Sequence, residues 1–207
     1  MHGRIITIIF ALSLTAGILL AVFQTVYLNY GYHKWLADNL VAPIGNTDFR
    51  LLAEQRKALV AFLLDRTEIE RSFYTPEENS HIQDIKLLLI QERIIFRYLV
   101  ILTLLLTIVY WQRRRRKQTM QLIANVGRAL TVSLLLLLVI VPLTFFQLFN
   151  LFHQLFFPQG NWLFDPAASL LIQIYPPEFF LFFALGWLFA ALITSVFIWL
   201  LARLLSK

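Results

Sequence analysis

Four apolar runs, separated by polar stretches of unequal length, set the pattern of the chain. They cover residues 5–27, 94–111, 129–149 and 179–201 and carry no charge at their centres. Each is close to the roughly 20 residues a helix needs to cross a bilayer. The pattern predicts an all-α integral membrane protein, a four-transmembrane-helix bundle with an extracytoplasmic cap between helices 1 and 2. Within the cap, Phe49, Leu52, Leu59, Phe62 and Leu63 recur at roughly helical spacing with charges between them. That spacing predicts an amphipathic segment resting on the membrane surface. Thr75 followed by Pro76 predicts a helix start, with Thr75 as N-cap and Pro76 at the first helical position. A helix begun there runs through His81 into the second span.

Composition strengthens the membrane reading. Of the 207 residues 59% are hydrophobic and 14% charged, and mean hydropathy is +0.70; soluble domains are about 45–50% apolar and about 25% charged. No linker or repeat divides the chain, so a single membrane domain is expected. The first run exceeds the roughly 7–15 apolar residues of a signal peptide and is expected to be a retained anchor. Tyr27, Tyr30, Tyr32 and Trp35, and Tyr110 with Trp111, gather at span ends, as interfacial aromatic residues do.

Charge sets the expected orientation. Arg113, Arg114, Arg115, Arg116 and Lys117 fall in the loop 112–128 between spans two and three, and Arg4, Arg128, Arg203 and Lys207 lie on the same side. By the positive-inside rule that side and both termini are cytoplasmic, and residues 28–93 and 150–178 face outward. All twelve Asp and Glu residues then lie on the outer side. The arginine run is explained by topology, so no nucleic-acid partner is expected. There is no cysteine, which excludes disulfides, thiolate nucleophiles and thiolate metal ligands.

The outer segments hold the candidate chemistry. His81 and Asp84 are three apart on the helix begun at Thr75 and share a face. His153 sits in an aromatic stretch at the end of the third span, where partial desolvation favours its neutral form. Asn161, Trp162 and Asp165 follow a Pro/Gly turn, and Pro176, Pro177 and Glu178 lead into the fourth span. Each residue also has a structural reading. An interfacial histidine can bond a backbone carbonyl, Asp84 can cap a helix, Trp162 can anchor at the interface, and Asp165 before Pro166 can cap a loop. His2 and His33 fit the structural reading. Ser72 and Ser80 lie in no nucleophile elbow, and no zinc motif is present. Acid–base chemistry by two histidines at the lipid boundary fits best.

Two blocks of residues carry a family resemblance. Phe73, Tyr74, Thr75, Glu78, His81, Asp84 and Ile85 resemble the first signature of the bacterial lipoprotein intramolecular transacylases. Phe152, His153, Phe156, Phe157, Asn161, Trp162, Phe164, Asp165, Pro177, Glu178 and Phe180 resemble the second. The four spans and the outward loop after the first match the same family, so the likeness covers essentially the whole chain. Ser169 departs from it, standing where an acidic residue is expected.

The resemblance implies an acyltransferase of the bacterial cytoplasmic membrane, with its active site on the extracytoplasmic face. Its substrate is the diacylated N-terminus of a lipoprotein, and its reaction moves the sn-2 acyl chain of the diacylglyceryl-cysteine onto the α-amine. His81, His153 and Asp84 are the catalytic residues expected on this basis; Asn161, Trp162, Asp165, Glu178 and Tyr74 are expected on the substrate side. No cofactor or metal is expected, membrane lipids surround the protein, and it acts as a monomer. A membrane lipid hydrolase, an acyltransferase working between two molecules, and a non-enzymatic membrane subunit are the alternatives.

Overall fold

In hydrocarbon every backbone N–H and C=O must be satisfied within the chain, so the four apolar runs fold as helices. A computed structural model describes residues 2–41, 48–113 and 116–207. Arg114 and Arg115 of the basic loop lie outside the described residues, as do the side chains of His2, Arg4 and Arg113. Among the described residues seven α-helices follow in order: α1 (His2–Tyr27), α2 (Tyr30–Asn39), α3 (Phe49–Leu63), α4 (Pro76–Arg113), α5 (Arg116–Phe156), α6 (Leu170–Ile174) and α7 (Pro177–Leu205). A short 3₁₀ turn, Arg71–Phe73, precedes α4, and no strand occurs among the described residues.

α1, α4, α5 and α7 are long and apolar enough to cross a membrane. Two of them outrun the expected spans. α4 has 38 residues and α5 has 41, or about 57 and 62 Å at 1.5 Å per residue, roughly twice a hydrocarbon core of ~30 Å. The segment 112–128, expected as a loop, is therefore helical from Arg116 onward. In α4 the charged residues Glu77, Glu78, Asp84, Lys86, Glu92 and Arg93 precede the apolar run 94–111, whose first turn also carries Arg97. Its Ile101, Leu104, Leu105 and Ile108 are exposed, as lipid-facing side chains are. The path of α5 breaks at Thr144, next to Pro142, the residue type that accounts for most sharp helix kinks.

The chain packs as two compact units. The first comprises Met1–Thr25, Glu92–Ile140 and Gly186–Lys207. Its polar side chains bond between helices: Thr7 Oγ1 with Tyr110 Oη at 2.5 Å, Thr131 Oγ1 with Ser195 Oγ at 2.9 Å, and the Trp187 indole N–H with the backbone carbonyl of Leu19 at 3.0 Å. Gly127 lies so close to Trp199 that an added Cβ would meet its backbone N at 3.0 Å, so glycine permits this close helix approach.

The second unit comprises Val26–Gln91 and Val141–Leu185. α3 is the amphipathic segment: Leu52, Leu59, Phe62 and Leu63 are buried, and Phe49 is exposed. Asp48 caps it by accepting from the Arg50 amide at 2.9 Å. α4 starts as its sequence predicts. The Thr75 hydroxyl accepts from the Glu78 amide at 3.2 Å while the Glu78 carboxylate accepts from the Thr75 amide at 2.9 Å, a reciprocal capping box.

The same carboxylate, only 1% exposed, reaches a second helix. Its Oε1 accepts from the Ser169 hydroxyl at 2.5 Å and the Leu171 amide at 2.9 Å, at the start of α6. At the other end of α6 the buried Arg56 guanidinium donates to the Ile174 carbonyl at 3.2 Å. An anion thus meets the N-terminus of α6 and a cation its C-terminus, as the helix dipole favours. A hydroxyl at Ser169 donates to Glu78, whereas a carboxylate there would face a second buried carboxylate.

Candidate active site

The helix that begins at the capping box places His81 one and a half turns in. Its ring is 5% exposed and is walled by Phe157 (4.5 Å between ring centroids, edge-on) and Phe164 (5.8 Å). His153, in the last turn of α5, stacks beside it with centroids 5.9 Å apart and planes inclined by 29°. Trp162 covers His153 at 4.8 Å and Phe149 covers it at 4.2 Å. The two histidines, 72 positions apart in the chain, thus form one aromatic-walled pair.

The rings differ in their hydrogen bonds. His153 Nδ1–H donates to the Phe149 carbonyl at 2.8 Å, which fixes its tautomer when neutral. His81 Nδ1 is buried and has no partner among the described residues. Burial pushes the His81 pKa down to about 4, the neighbouring His153 adds to this, and Asp84 and Asn161 oppose it. His153 is also lowered by burial, but its bond to the Phe149 carbonyl favours the charged ring. Positive charge is therefore accommodated more readily on His153 than on His81, and the environments separate the two titrations.

Asp84 does not bond His81. Its Oδ2 accepts from the Gln159 amide at 2.6 Å and from the Asn161 amide at 2.7 Å. Asn161 also donates to the Ser80 hydroxyl at 3.0 Å, and its own Oδ1 is buried with no partner among the described residues. Gly160, between the two amides, has φ +79°, a backbone conformation that suits glycine. The turn it permits sends both neighbouring side chains to one carboxylate. An open hollow beside the site is lined by Asp84, Gln91 and Gln159 and by Leu87, Leu88 and Phe156.

The remaining expected site residues lie nearby in different states. The Tyr74 hydroxyl is buried and donates to Gln55 Oε1 at 3.0 Å, with its pKa raised by burial and then by Glu78. The Asp165 carboxylate accepts from the Ala167 amide at 2.9 Å, capping its own turn. Glu178 is exposed in the first turn of α7. Gln159, Gln55 and Arg56 escaped sequence reasoning. The Pro/Gly turn that flags Asn161 also contains Gln159, so that signal was present; Arg56 carried none beyond its place on an amphipathic helix. Among the described residues, no three His, Asp or Glu side chains converge as metal ligands.

Fold and site together define a membrane-integral, all-helical protein whose polar chemistry gathers about a pair of histidines. The family model for the lipoprotein intramolecular transacylase Lit matches residues 4–180, and the chain belongs to that family. It is therefore an acyltransferase with a lipoprotein substrate. Among solved structures it resembles the membrane-integral lipoprotein intramolecular transacylase Lit from Bacillus cereus, with TM-score 0.74 and 19% identity over 98% of this chain and 94% of that one. Two variants of that protein, with a histidine replaced by arginine or by alanine, match with TM-score 0.72 and 19% identity, over 98% of this chain and 91% and 92% of theirs. No curated protein matches the chain in sequence.

Proposed function

We propose that this protein moves the sn-2 acyl chain of a diacylglyceryl-cysteine lipoprotein onto the lipoprotein's own α-amine, using His81 as the base and His153 as the donor to the developing oxyanion. The stacked pair at 5.9 Å, His81 buried and His153 half-buried, carries the reading, because it supplies two imidazoles in unequal environments within one aromatic-walled site.

The substrate brings its own nucleophile. An α-amine has a reference pKa near 7.7–8.0, so a useful fraction is neutral at physiological pH. Its nitrogen attacks the ester carbonyl, and the N–C bond forms. His81 accepts the proton from nitrogen and returns it to the glyceryl oxygen as the C–O bond breaks. His153, its Nδ1–H already given to the Phe149 carbonyl, acts here as the charged ring and donates its Nε2–H to the carbonyl oxygen as negative charge develops, a contribution of roughly 2.7–4 kcal/mol. Holding amine and ester in one pocket supplies proximity in addition.

On the substrate side we place Trp162, which flanks His153, and Glu178, an exposed carboxylate at the start of α7. Leu87, Leu88 and Phe156 offer an apolar wall for the acyl chain beside the polar groups of Asp84 and Gln159. Tyr74 and Asp165, whose polar atoms are engaged by Gln55 and by the Ala167 amide, act by holding their segments in place. The charge distribution supports a cytoplasmic-membrane protein with both termini inside and the histidines on the extracytoplasmic side. Donor and acceptor lie on one substrate and all these residues come from one chain, which supports a monomer.

Mass spectrometry of a lipoprotein's N-terminal lipopeptide tests the reading. The host is a bacterium unable to N-acylate its lipoproteins, expressing this protein or its His81→Ala variant. Conversion to an isomer of equal mass, with an N-acyl fragment and one O-acyl chain, is expected with the wild type and lost in the variant. Free fatty acid would instead identify a hydrolase. An unchanged lipopeptide beside correctly inserted protein would overturn the assignment.

A further inference from the structure

At the histidine pair, two buried atoms of opposite character have no partner among the described residues: His81 Nδ1 and Asn161 Oδ1. A buried polar atom left unpaired is costly, so two such atoms at one site call for an explanation. Their surroundings provide it. The Asn161 amide is held on its nitrogen side by Asp84 Oδ2 at 2.7 Å and by the hydroxyl of Ser80, the residue before His81. Reversing the amide would turn its oxygen onto a carboxylate, so Asp84 fixes which way Asn161 points. Gln159 holds the same carboxylate at 2.6 Å, so the amide is anchored to a group that is itself anchored.

The geometry points to Asn161 as a positioning residue: its carboxamide relays the Asp84 carboxylate to His81 Nδ1, fixing the tautomer that leaves Nε2 as the base. The chain of groups runs from the carboxylate to the amide N–H, and from the amide oxygen to the imidazole N–H. It differs from a direct carboxylate–histidine pair, since the full negative charge stays one side chain away from the ring. The interposed amide orients the ring while sparing it the strong pull of an adjacent anion, and the base stays neutral. Asn161 and Asp84 are the groups that favour a charged His81, and burial and His153 oppose them. This inference rests on the acyl-transfer reading only in naming His81 the base.

The test is ¹⁵N NMR of histidine-labelled protein in micelles, with the His81 signals assigned by their loss in His81→Gln. It needs no substrate. Wild-type His81 is expected to be neutral near pH 7 with its proton on Nδ1. Asn161→Leu is expected to lose that tautomer bias, and its His81 titrates at lower pH because the acceptor favouring the charged ring is gone. The exchange Asp84→Asn with Asn161→Asp places the carboxylate beside the ring and moves the titration to higher pH, while keeping polar side chains at both positions should Asn161→Leu fold poorly. His81 signals with unchanged tautomer and titration in Asn161→Leu, or in the exchange variant should Asn161→Leu not fold, overturn the relay. Transacylation by the same proteins is a separate arm. Asn161→Leu is expected to lower kcat about tenfold or more, part of the 10²–10⁴ that a positioned base supplies, with KM little changed. Inactivity of every protein, wild type included, would count against the reaction and not against the relay.

Discussion

Two buried histidines of the second unit look alike until their hydrogen bonds are traced. His33 is 3% exposed and His81 is 5% exposed, both are ringed by aromatic side chains, and burial drives each pKa down to about 4. Yet His33 Nε2–H donates to the Tyr27 carbonyl at 3.0 Å, and its Nδ1 accepts from the Tyr175 hydroxyl at 3.3 Å. Both nitrogens are occupied and the ring is locked. His81 has a buried nitrogen with no partner among the described residues and a second imidazole alongside, and the Asn161 amide near it holds the Asp84 carboxylate. Burial and a shifted proton affinity therefore do not separate the two rings. Hydrogen-bonding capacity left open does.

Removing each ring in turn should separate the two most sharply. His81→Ala is expected to lower transacylation by about 10²–10⁴-fold, the range general acid–base groups contribute. His33→Phe should keep the rate within about threefold while lowering the temperature at which the second unit loosens, because the Tyr27 carbonyl and Tyr175 hydroxyl lose a partner. Turnover by mass spectrometry and a thermal ramp on both variants check this. Comparable loss of rate in the two would erase the distinction.

Acid sharpens the comparison next. His33 is held neutral in the fold with a pKa of about 4, against an unfolded reference of 6.5. Between those values the unfolded chain takes up a proton that the folded one does not, so stability is full above pH 6.5 and falls as pH drops toward 4. The contribution amounts to about 3 kcal/mol at the acid end. Limited proteolysis from pH 7 to pH 4 should show the second unit becoming susceptible across this window, with a shallower trend in His33→Phe. A trend of equal slope in the variant would place the acid sensitivity elsewhere.

The smallest change probes the amide turn. Gly160→Ala adds a Cβ that meets nothing within 4 Å, so its effect reports the left-handed φ of +79° alone. A cost of about 1–2 kcal/mol is expected, with a modest fall in rate as Asn161 loosens. An unaltered thermal ramp would show that the turn adapts freely.

The sequence announced the features that local rules control. Hydropathy marked the four spans, Thr75–Pro76 marked the start of α4, and the spacing of Leu52, Leu59, Phe62 and Leu63 marked the buried face of α3. It also put His81 and Asp84 on one helical face, and the two histidines do meet. Features that rest on distant partners stayed hidden. The five-residue α6 has no periodicity of its own, and Glu78, Ser169 and Arg56 complete its ends. Which amide meets Asp84 depends on a glycine turn 75 residues away. The helices extend past the expected spans because the polar ends of α4 and α5 remain helical beyond the reach of hydropathy.

Glu78 has a further consequence, for biogenesis. Its carboxylate caps the helix that bears His81, but its remaining partners, the Ser169 hydroxyl and the Leu171 amide, are made more than ninety residues later. While the ribosome is still emitting the third span, that anion is half-satisfied and the pocket has only one of its two imidazoles. Competence is thus tied to the arrival of the segment that carries Ser169 and Leu171. A nascent or stalled chain carries His81 but has no Ser169 or Leu171 to complete the buried Glu78.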